Sequence, residues 1–141
     1  MTLKVYRLSK KDLSTLPIYS SQVSAGFPSP ADDYLEGDLD LNTHLIRNKA
    51  ATFIVRASGQ SMTQAGIFDQ DLLLVDRSLS AKSGHIVIAC IQGELLVKRL
   101  NIQNRCTRLL AENPTYPPIV VKESDDFSVW GVVTMVIHPL L

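Results

Sequence analysis

Residues 85–100 read His-Ile-Val-Ile-Ala-Cys-Ile-Gln-Gly-Glu-Leu-Leu-Val-Lys-Arg-Leu, and this stretch decides the fold class. Two short apolar runs flank the dipeptide Gln92-Gly93, a combination typical of two antiparallel strands joined by a tight turn. We therefore predict a β-hairpin here. Its second strand carries Lys98 among aliphatic residues.

The same pattern continues on both sides of the hairpin, from about residue 51 to the end of the chain. Runs rich in Val, Ile and Leu are separated by Gly, Asp, Asn and Pro, as in consecutive strands. Closely spaced short strands predict a mainly β fold, either a compact antiparallel sheet or a small barrel. The predicted strands are Thr52–Ala57, Asp71–Asp76, His85–Ile91, Glu94–Leu100, Cys106–Ala111, Ile119–Val121 and Ser128–Ile137.

The N-terminal part lacks this alternation. Residues 1–40 are predicted to form an arm, and residues 41–141 the β-rich domain. One or two short helices are expected: Ser29-Pro30-Ala31-Asp32 combines a capping serine with proline at the first helical position, and Asp40 can cap a helix over Leu41–Arg47. The segment Leu16–Phe27 is predicted to be a connecting arm.

The composition restricts the functional class. The chain has 141 residues, enough for one compact domain, and its 14 basic and 14 acidic residues balance, unlike a dedicated nucleic-acid binder. Cys90 and Cys106 have neither metal-site nor disulfide-scaffold spacing, and Cys90 is predicted to be a small buried hydrophobe. No apolar run reaches the roughly 18–20 residues of a membrane helix, so a cytoplasmic location is expected.

A serine occupies a glycine-containing turn in Ala57-Ser58-Gly59-Gln60-Ser61-Met62. A serine hydroxyl becomes a good nucleophile when a base removes its proton and N–H donors stabilise the oxyanion. Gly59 permits a tight turn that presents Ser61, and the backbone N–H groups of Gln60 and Ser61 are candidate oxyanion donors. The alternative is a polar loop, because the G-x-S-x-G elbow is incomplete here.

Lys98 is the candidate base. With an ordinary pKa near 10.4, only on the order of one lysine in a thousand is neutral at pH 7.4. A base role therefore requires its pKa to fall by about 3, roughly 4 kcal/mol of bias against the charged form. Burial can supply this bias, because Leu96, Lys98 and Leu100 share one face of the predicted strand. The alternative is a lysine whose stem lets its ammonium reach water.

Histidine chemistry is the competing hypothesis. His44, His85 and His138 are the candidates, and each is predicted to be an ordinary surface or strand-end residue because none has a distinctive local context. With no paired carboxylate spacing, neither a metal site nor a cofactor is expected.

The predicted arm contains a bond suited to cleavage, Ala25-Gly26, within Val23–Pro30. Alanine fits a narrow pocket, and glycine lets the backbone adopt the geometry that attack requires. The alternative is an ordinary loop. If the bond is a target of Ser61, attack within one chain is unimolecular and gains a high effective concentration.

Several ordered motifs together resemble the UmuD/MucA family of the LexA-like self-cleaving peptidases. The resemblance extends from Leu16 to Ile137 and is more specific than any one motif. The segments that carry it are Ala25–Ala31, Ser58–Met62, Gly66–Leu73, Val97–Leu100 and Trp130–Val133.

The resemblance implies a Ser-Lys autoprotease of the SOS response. Ser61 would be the nucleophile, Lys98 the general base and Ala25-Gly26 the scissile bond. A RecA filament on single-stranded DNA would stimulate cleavage. The shortened form, Gly26–Leu141, would act as a homodimer with a UmuC-like error-prone polymerase in translesion synthesis.

Two features distinguish the chain within this group. Alanine precedes the scissile glycine, as it does in LexA, whereas the best-known UmuD has cysteine at this position. No helix-turn-helix precedes the arm, so direct sequence-specific DNA binding and a LexA-like repressor role are not expected. The remaining alternative is a non-catalytic module that only binds a polymerase or another partner.

Overall fold

The computed structural model describes residues 4–7, 15–19 and 35–141. Contacts group residues 4–7 with 48–141 in one compact unit, and residues 15–19 with 35–47 in another. The strands in chain order are β1 (Lys4–Arg7), β2 (Thr15–Tyr19), β3 (Leu35–Asp40), β4 (Thr52–Arg56), β5 (Leu72–Asp76), β6 (Ile86–Ile91), β7 (Glu94–Gln103), β8 (Cys106–Leu110), β9 (Ile119–Val121) and β10 (Phe127–Ile137). Helix α1 spans Leu41–Leu45, and short 3₁₀ helices span Lys49–Ala51 and Thr63–Ala65.

Within the described ranges, the larger unit is one eight-stranded sheet with the order β1-β4-β5-β10-β6-β7-β8-β9. Every neighbouring pair in it is antiparallel. The mainly β, antiparallel fold is therefore confirmed. Strand β10 lies in the middle of the sheet between β5 and β6, so the C-terminal strand joins the two halves of the sheet.

The predicted hairpin over residues 85–100 is present as β6 and β7. The register pairs Ile91 with Glu94 and Val87 with Lys98. Gln92 and Gly93 both have positive φ, 50° and 78°. Positive φ at both central residues is the type I′ geometry, whose twist matches that of antiparallel strands. The turn thus sets the register that places Lys98.

Both faces of the sheet are covered by apolar side chains. Adjacent residues of β6 contribute to different clusters, because successive side chains of a strand point to opposite faces. One core cluster contains Val55, Ala57, Met62, Ile67, Leu73, Val75, Ile88 and Val97. The other contains Val87, Ala89, Leu100, Leu109 and Val132.

Strands also occur in the N-terminal region, where an arm and one or two short helices are predicted. Strands β2 and β3 form an antiparallel hairpin, and β1 pairs with β4 in the large sheet. Pro17 in β2 and Gly37 in β3 weaken the local strand signal, and a two-stranded ribbon tolerates proline because one side of each strand is unpaired. Part of the predicted connecting arm, Leu16–Phe27, is therefore strand.

The predicted cap of the second helix is confirmed. Asp40 accepts a hydrogen bond from the Asn42 N–H at 3.0 Å and one from the Thr43 hydroxyl at 2.8 Å. The helix ends at Leu45, two residues before the predicted end. The helix predicted near Ser29 and the Ala25-Gly26 bond lie outside the described residues, and the division at residue 40 stays a prediction.

Candidate active site

The serine turn begins where β4 ends. Ala57 forms two backbone hydrogen bonds across the chain, donating to the Asp71 carbonyl at 2.8 Å and accepting from the Gln70 N–H at 2.8 Å. Gly59 then has φ 96°, a left-handed conformation that glycine adopts without steric penalty. Its N–H donates to Asp69 Oδ1 at 2.7 Å. The glycine and the carboxylate together stabilise the turn that leads to Ser61.

Ser61 is buried, with 1% of its surface exposed. Among the described residues its Oγ has no hydrogen-bond partner. A buried hydroxyl without a partner costs about 1–3 kcal/mol. Such atoms are rare in folded proteins, and reactive groups are one of the places where they occur. The serine is thus a desolvated hydroxyl, held without the hydrogen bonds that would satisfy it.

Lys98 lies on β7 opposite Val87 and is 6% exposed. Within the part of the chain that the structure describes, its ammonium forms neither an ion pair nor a hydrogen bond. Its Nζ lies 5.6 Å from the centre of the Tyr116 ring. Burial without a charged partner lowers the pKa of Lys98 below its ordinary value. The predicted burial of this lysine is therefore present.

One loop connects the serine turn to the lysine strand. Residues 111–116, here called the bridging loop, follow β8. The Glu112 N–H donates to the Ser61 carbonyl at 2.9 Å, and the Glu112 carboxylate pairs with the guanidinium of Arg99, the residue after Lys98. Tyr116 of the same loop faces Lys98. The loop therefore contacts both candidate residues, although Ser61 and Lys98 share no direct hydrogen bond.

The hydrophobic core also connects the serine turn with the lysine strand. Met62, which follows Ser61, and Val97, which precedes Lys98, belong to one buried cluster and have 0% exposure. Close-packed interiors transmit small displacements, so the positions of the serine turn and the lysine strand depend on the same packing.

Sequence reasoning missed the role of the bridging loop. The dipeptide Asn113-Pro114 is by itself typical only of a turn. The side chain of Asn113 donates to the Gln60 carbonyl at 2.8 Å across 53 residues. A contact between residues so distant along the chain leaves no local pattern, so no signal in a single sequence could have identified it.

The histidines do not form a triad with Ser61. None of the three hydrogen-bonds to the serine among the described residues. His138 is exposed and directly follows β10, as predicted for a strand-end residue, and its Nδ1 lies 2.6 Å from Oδ1 of Asp71, which is 0% exposed. The same carboxylate accepts the Phe68 N–H at 2.7 Å. The pair fastens the end of β10 to the loop that supports the serine turn.

The described residues contain no cluster of His, Cys, Asp or Glu that could hold a metal ion. They also contain no helix that is both long and apolar enough to cross a membrane. Cys90 and Cys106 are free and half-buried, so Cys90 is less buried than predicted.

Comparison with known proteins places this geometry in a family. Residues 17–134 match the family described as Peptidase S24-like. The chain belongs to this family. The resemblance to UmuD/MucA and LexA-like proteins is confirmed, and the S24 match covers the serine turn, the lysine strand and the bridging loop.

Individual relatives of this S24 chain extend over most of its length. Protein SamA of Salmonella typhimurium strain LT2 is 47% identical over 125 residues, which are 89% of this chain and 86% of SamA. Protein MucA of Escherichia coli is 41% identical over 129 residues, 89% of this chain and 88% of MucA. The LexA repressor of Bordetella parapertussis is 39% identical over 111 residues, 79% of this chain and 51% of the repressor.

Proposed function

We propose that this S24 protein is a Ser-Lys peptidase that cleaves its own chain between Ala25 and Gly26. The observation that supports the proposal most is the buried Ser61 hydroxyl without a hydrogen-bond partner, together with a buried Lys98 that has no ion pair and is contacted by the same bridging loop. The Ser61 hydroxyl is suited to act as a nucleophile, and the Lys98 amine is suited to act as its base because burial lowers the pKa of Lys98.

The proposed chemistry uses these two side chains in turn. Neutral Lys98 Nζ removes the proton of Ser61 Oγ as Oγ bonds to the Ala25 carbonyl carbon. The N–H groups of Gln60 and Ser61 stabilise the negative oxygen that forms. The Lys98 ammonium returns the proton to the Gly26 nitrogen as the Ala25–Gly26 bond breaks. Water then hydrolyses the ester between Ala25 and Ser61, with Lys98 again as base, and releases the residue 1–25 peptide.

The rate of this reaction depends on the protonation of Lys98. The burial that lowers the pKa of Lys98 enlarges the neutral fraction near physiological pH. We expect the rate of self-cleavage to rise with pH and to level off once Lys98 is deprotonated. Tethering nucleophile and target in one chain adds an effective concentration of about 10⁵ M or more for well-oriented groups.

The test is a time course of intact mass from neutral to alkaline pH. Wild type should yield the fragment Gly26–Leu141, faster as pH rises, while Ser61→Ala and Lys98→Ala stay intact. Ser80→Ala and Lys82→Ala alter exposed residues of the same types and should cleave at the wild-type rate. Cleavage that continues in Ser61→Ala or Lys98→Ala would contradict the proposal, and an unchanged wild-type mass would favour the non-catalytic binding module.

We further propose the biological setting that the family resemblance implies. The cleaved form serves SOS mutagenesis as a homodimer that binds a UmuC-like error-prone polymerase, and a RecA filament on single-stranded DNA stimulates its formation. Adding RecA, ATP and single-stranded DNA should accelerate cleavage of wild type but not of Ser61→Ala. Cleavage can occur within one chain or between two chains. Mixing wild type with Ser61→Ala distinguishes these routes, because a Ser61→Ala chain can be cleaved only by a different chain.

A further inference from the structure

The peptide group that precedes Ser61 is anchored by a side chain of the bridging loop. The Gln60 carbonyl accepts a hydrogen bond from Asn113 Nδ2 at 2.8 Å. A peptide group is planar and trans, so its C=O and N–H point in opposite directions. A donor that holds the Gln60 carbonyl therefore also sets the direction of the Ser61 N–H.

The Asn113 amide is itself held in one orientation. Its Oδ1 accepts the Thr115 N–H at 3.1 Å and the Thr115 hydroxyl at 2.9 Å. A backbone N–H can only donate, so the atom facing Thr115 must be the oxygen and the atom facing Gln60 the nitrogen. The turn around Thr115 thus presents the amide as a fixed donor.

The peptide group that follows Ser61 is held separately. The Glu112 N–H donates to the Ser61 carbonyl at 2.9 Å, and the Glu112 carbonyl accepts the Gln64 N–H at 2.9 Å. In contrast, the Ser61 N–H donates to no acceptor within the described residues. Ser61 therefore presents an uncommitted N–H on a peptide group whose carbonyl is held by the Asn113 side chain.

We propose that Asn113 is a positioning residue for self-cleavage: by holding the Gln60 carbonyl, it aims the Ser61 N–H at the oxyanion that forms on the scissile carbonyl. This inference rests on the proposed Ser-Lys mechanism and adds a residue to it. Loss of an oxyanion donor lowers enzyme rates by about 10²–10³. A donor that is present but misaimed should lower the rate less, by about 10-fold or more.

Two substitutions test the role at the alkaline plateau, where Lys98 is deprotonated and its pKa no longer affects the rate. Asn113→Ala removes the amide. Asn113→Asp keeps an acceptor for Thr115 and so preserves the turn, but replaces the donor with a carboxylate oxygen. Both should reduce the plateau rate at least about 10-fold. Asn48→Ala, at an exposed asparagine whose side chain caps nothing, should stay within about 2-fold of wild type.

The pH profile separates positioning from loosening of the lysine site. For Asn113→Ala, we expect the pH of half-maximal rate to equal that of wild type, because Lys98 keeps its surroundings. A shifted midpoint, or a plateau rate within 2-fold of wild type in a folded variant, would overturn the inference. Urea unfolding reports the folded fraction, and if Asn113→Ala does not fold, Asn113→Asp decides.

The same data distinguish failure of the inference from failure of the mechanism. Wild-type cleavage that requires Ser61, with unaffected Asn113 variants, overturns only the role of Asn113. A wild-type chain that stays intact, or a Ser61→Ala chain that cleaves, overturns the Ser-Lys mechanism and the Asn113 role with it.

Discussion

At the scale of single residues, the candidate site contains two groups that oppose stability. Ser61 Oγ is buried without a partner, and Lys98 is buried without a counter-ion. Proteins retain such groups where function requires them, and replacing them commonly stabilises the fold. The stability of variants at these positions therefore reports on the site independently of any cleavage assay.

Replacing Lys98 with methionine should stabilise the protein at neutral pH. The folded chain lowers the pKa of Lys98 and the unfolded chain does not, so between the two pKa values the unfolded chain binds more protons. The full penalty of the buried ammonium is present below the folded-state pKa and disappears as pH rises toward the ordinary pKa. We expect Lys98→Met to raise the free energy of unfolding by about 1 kcal/mol at pH 7, and we expect this increase to disappear as pH rises.

Urea unfolding of both proteins in a Ser61→Ala background measures this gain without cleavage at high pH. Lys82→Met, at an exposed lysine, is the matched control and should change stability little at any pH. A gain from Lys98→Met that does not vary with pH would show that the ammonium is not its source.

At the scale of elements, β10 is the strand that the sheet depends on. It pairs with both β5 and β6, and its register shifts between Val129 and Gly131 and again between Val133 and Met135. At the first shift, Arg77 crosses Trp130, donating to its carbonyl at 2.9 Å with the guanidinium 4.5 Å from the ring centre. Gly131 follows this shift, and the side chain of Val75 in β5 occupies the space that a Cβ at this position would need.

Gly131→Ala tests this close approach. A Cβ at Gly131 would lie 2.5 Å from Val75 Cγ1 in the buried core. Overpacking a core typically costs about 1–3 kcal/mol, whereas Gly→Ala at an unstrained, open position stabilises by about 0.4–1 kcal/mol. We expect a loss of about 1–3 kcal/mol in urea unfolding. Ser128→Ala, exposed on the same strand, should be nearly neutral; a stabilised Gly131→Ala would contradict the packing.

At the scale of the larger unit, one buried cluster supports both halves of the site. Met62→Ala should cost about 2–5 kcal/mol through lost burial and the cavity left behind, because Met62 is 0% exposed between the serine turn and the sheet. Self-cleavage of the protein that remains folded should also slow, since the cavity lets the serine turn shift. Met135→Ala removes a 39% exposed methionine and should cost far less; equal losses in urea unfolding would argue against this role of the core.

Much of this protein follows from its sequence by local rules. The hairpin over residues 85–100 is predictable because strand periodicity and turn conformation are properties of neighbouring residues, and the same holds for the Asp40 cap. Strands β2 and β3 are not predictable in this way. Their proline, glycine and acidic residues carry no strand signal, and only pairing with each other makes them strands.

The features of the candidate site also divide into those that are local in the sequence and those that depend on tertiary contacts. Sequence alone determined that Ser61 lies on a glycine turn and Lys98 on an apolar strand, because each is a local property. Only the tertiary structure decided that the Ser61 hydroxyl is buried without a partner, that His138 pairs with Asp71, and that Asn113 holds the Gln60 carbonyl from 53 residues away. Burial and hydrogen bonding depend on which segments, distant along the chain, come into contact. No local sequence pattern specifies those contacts.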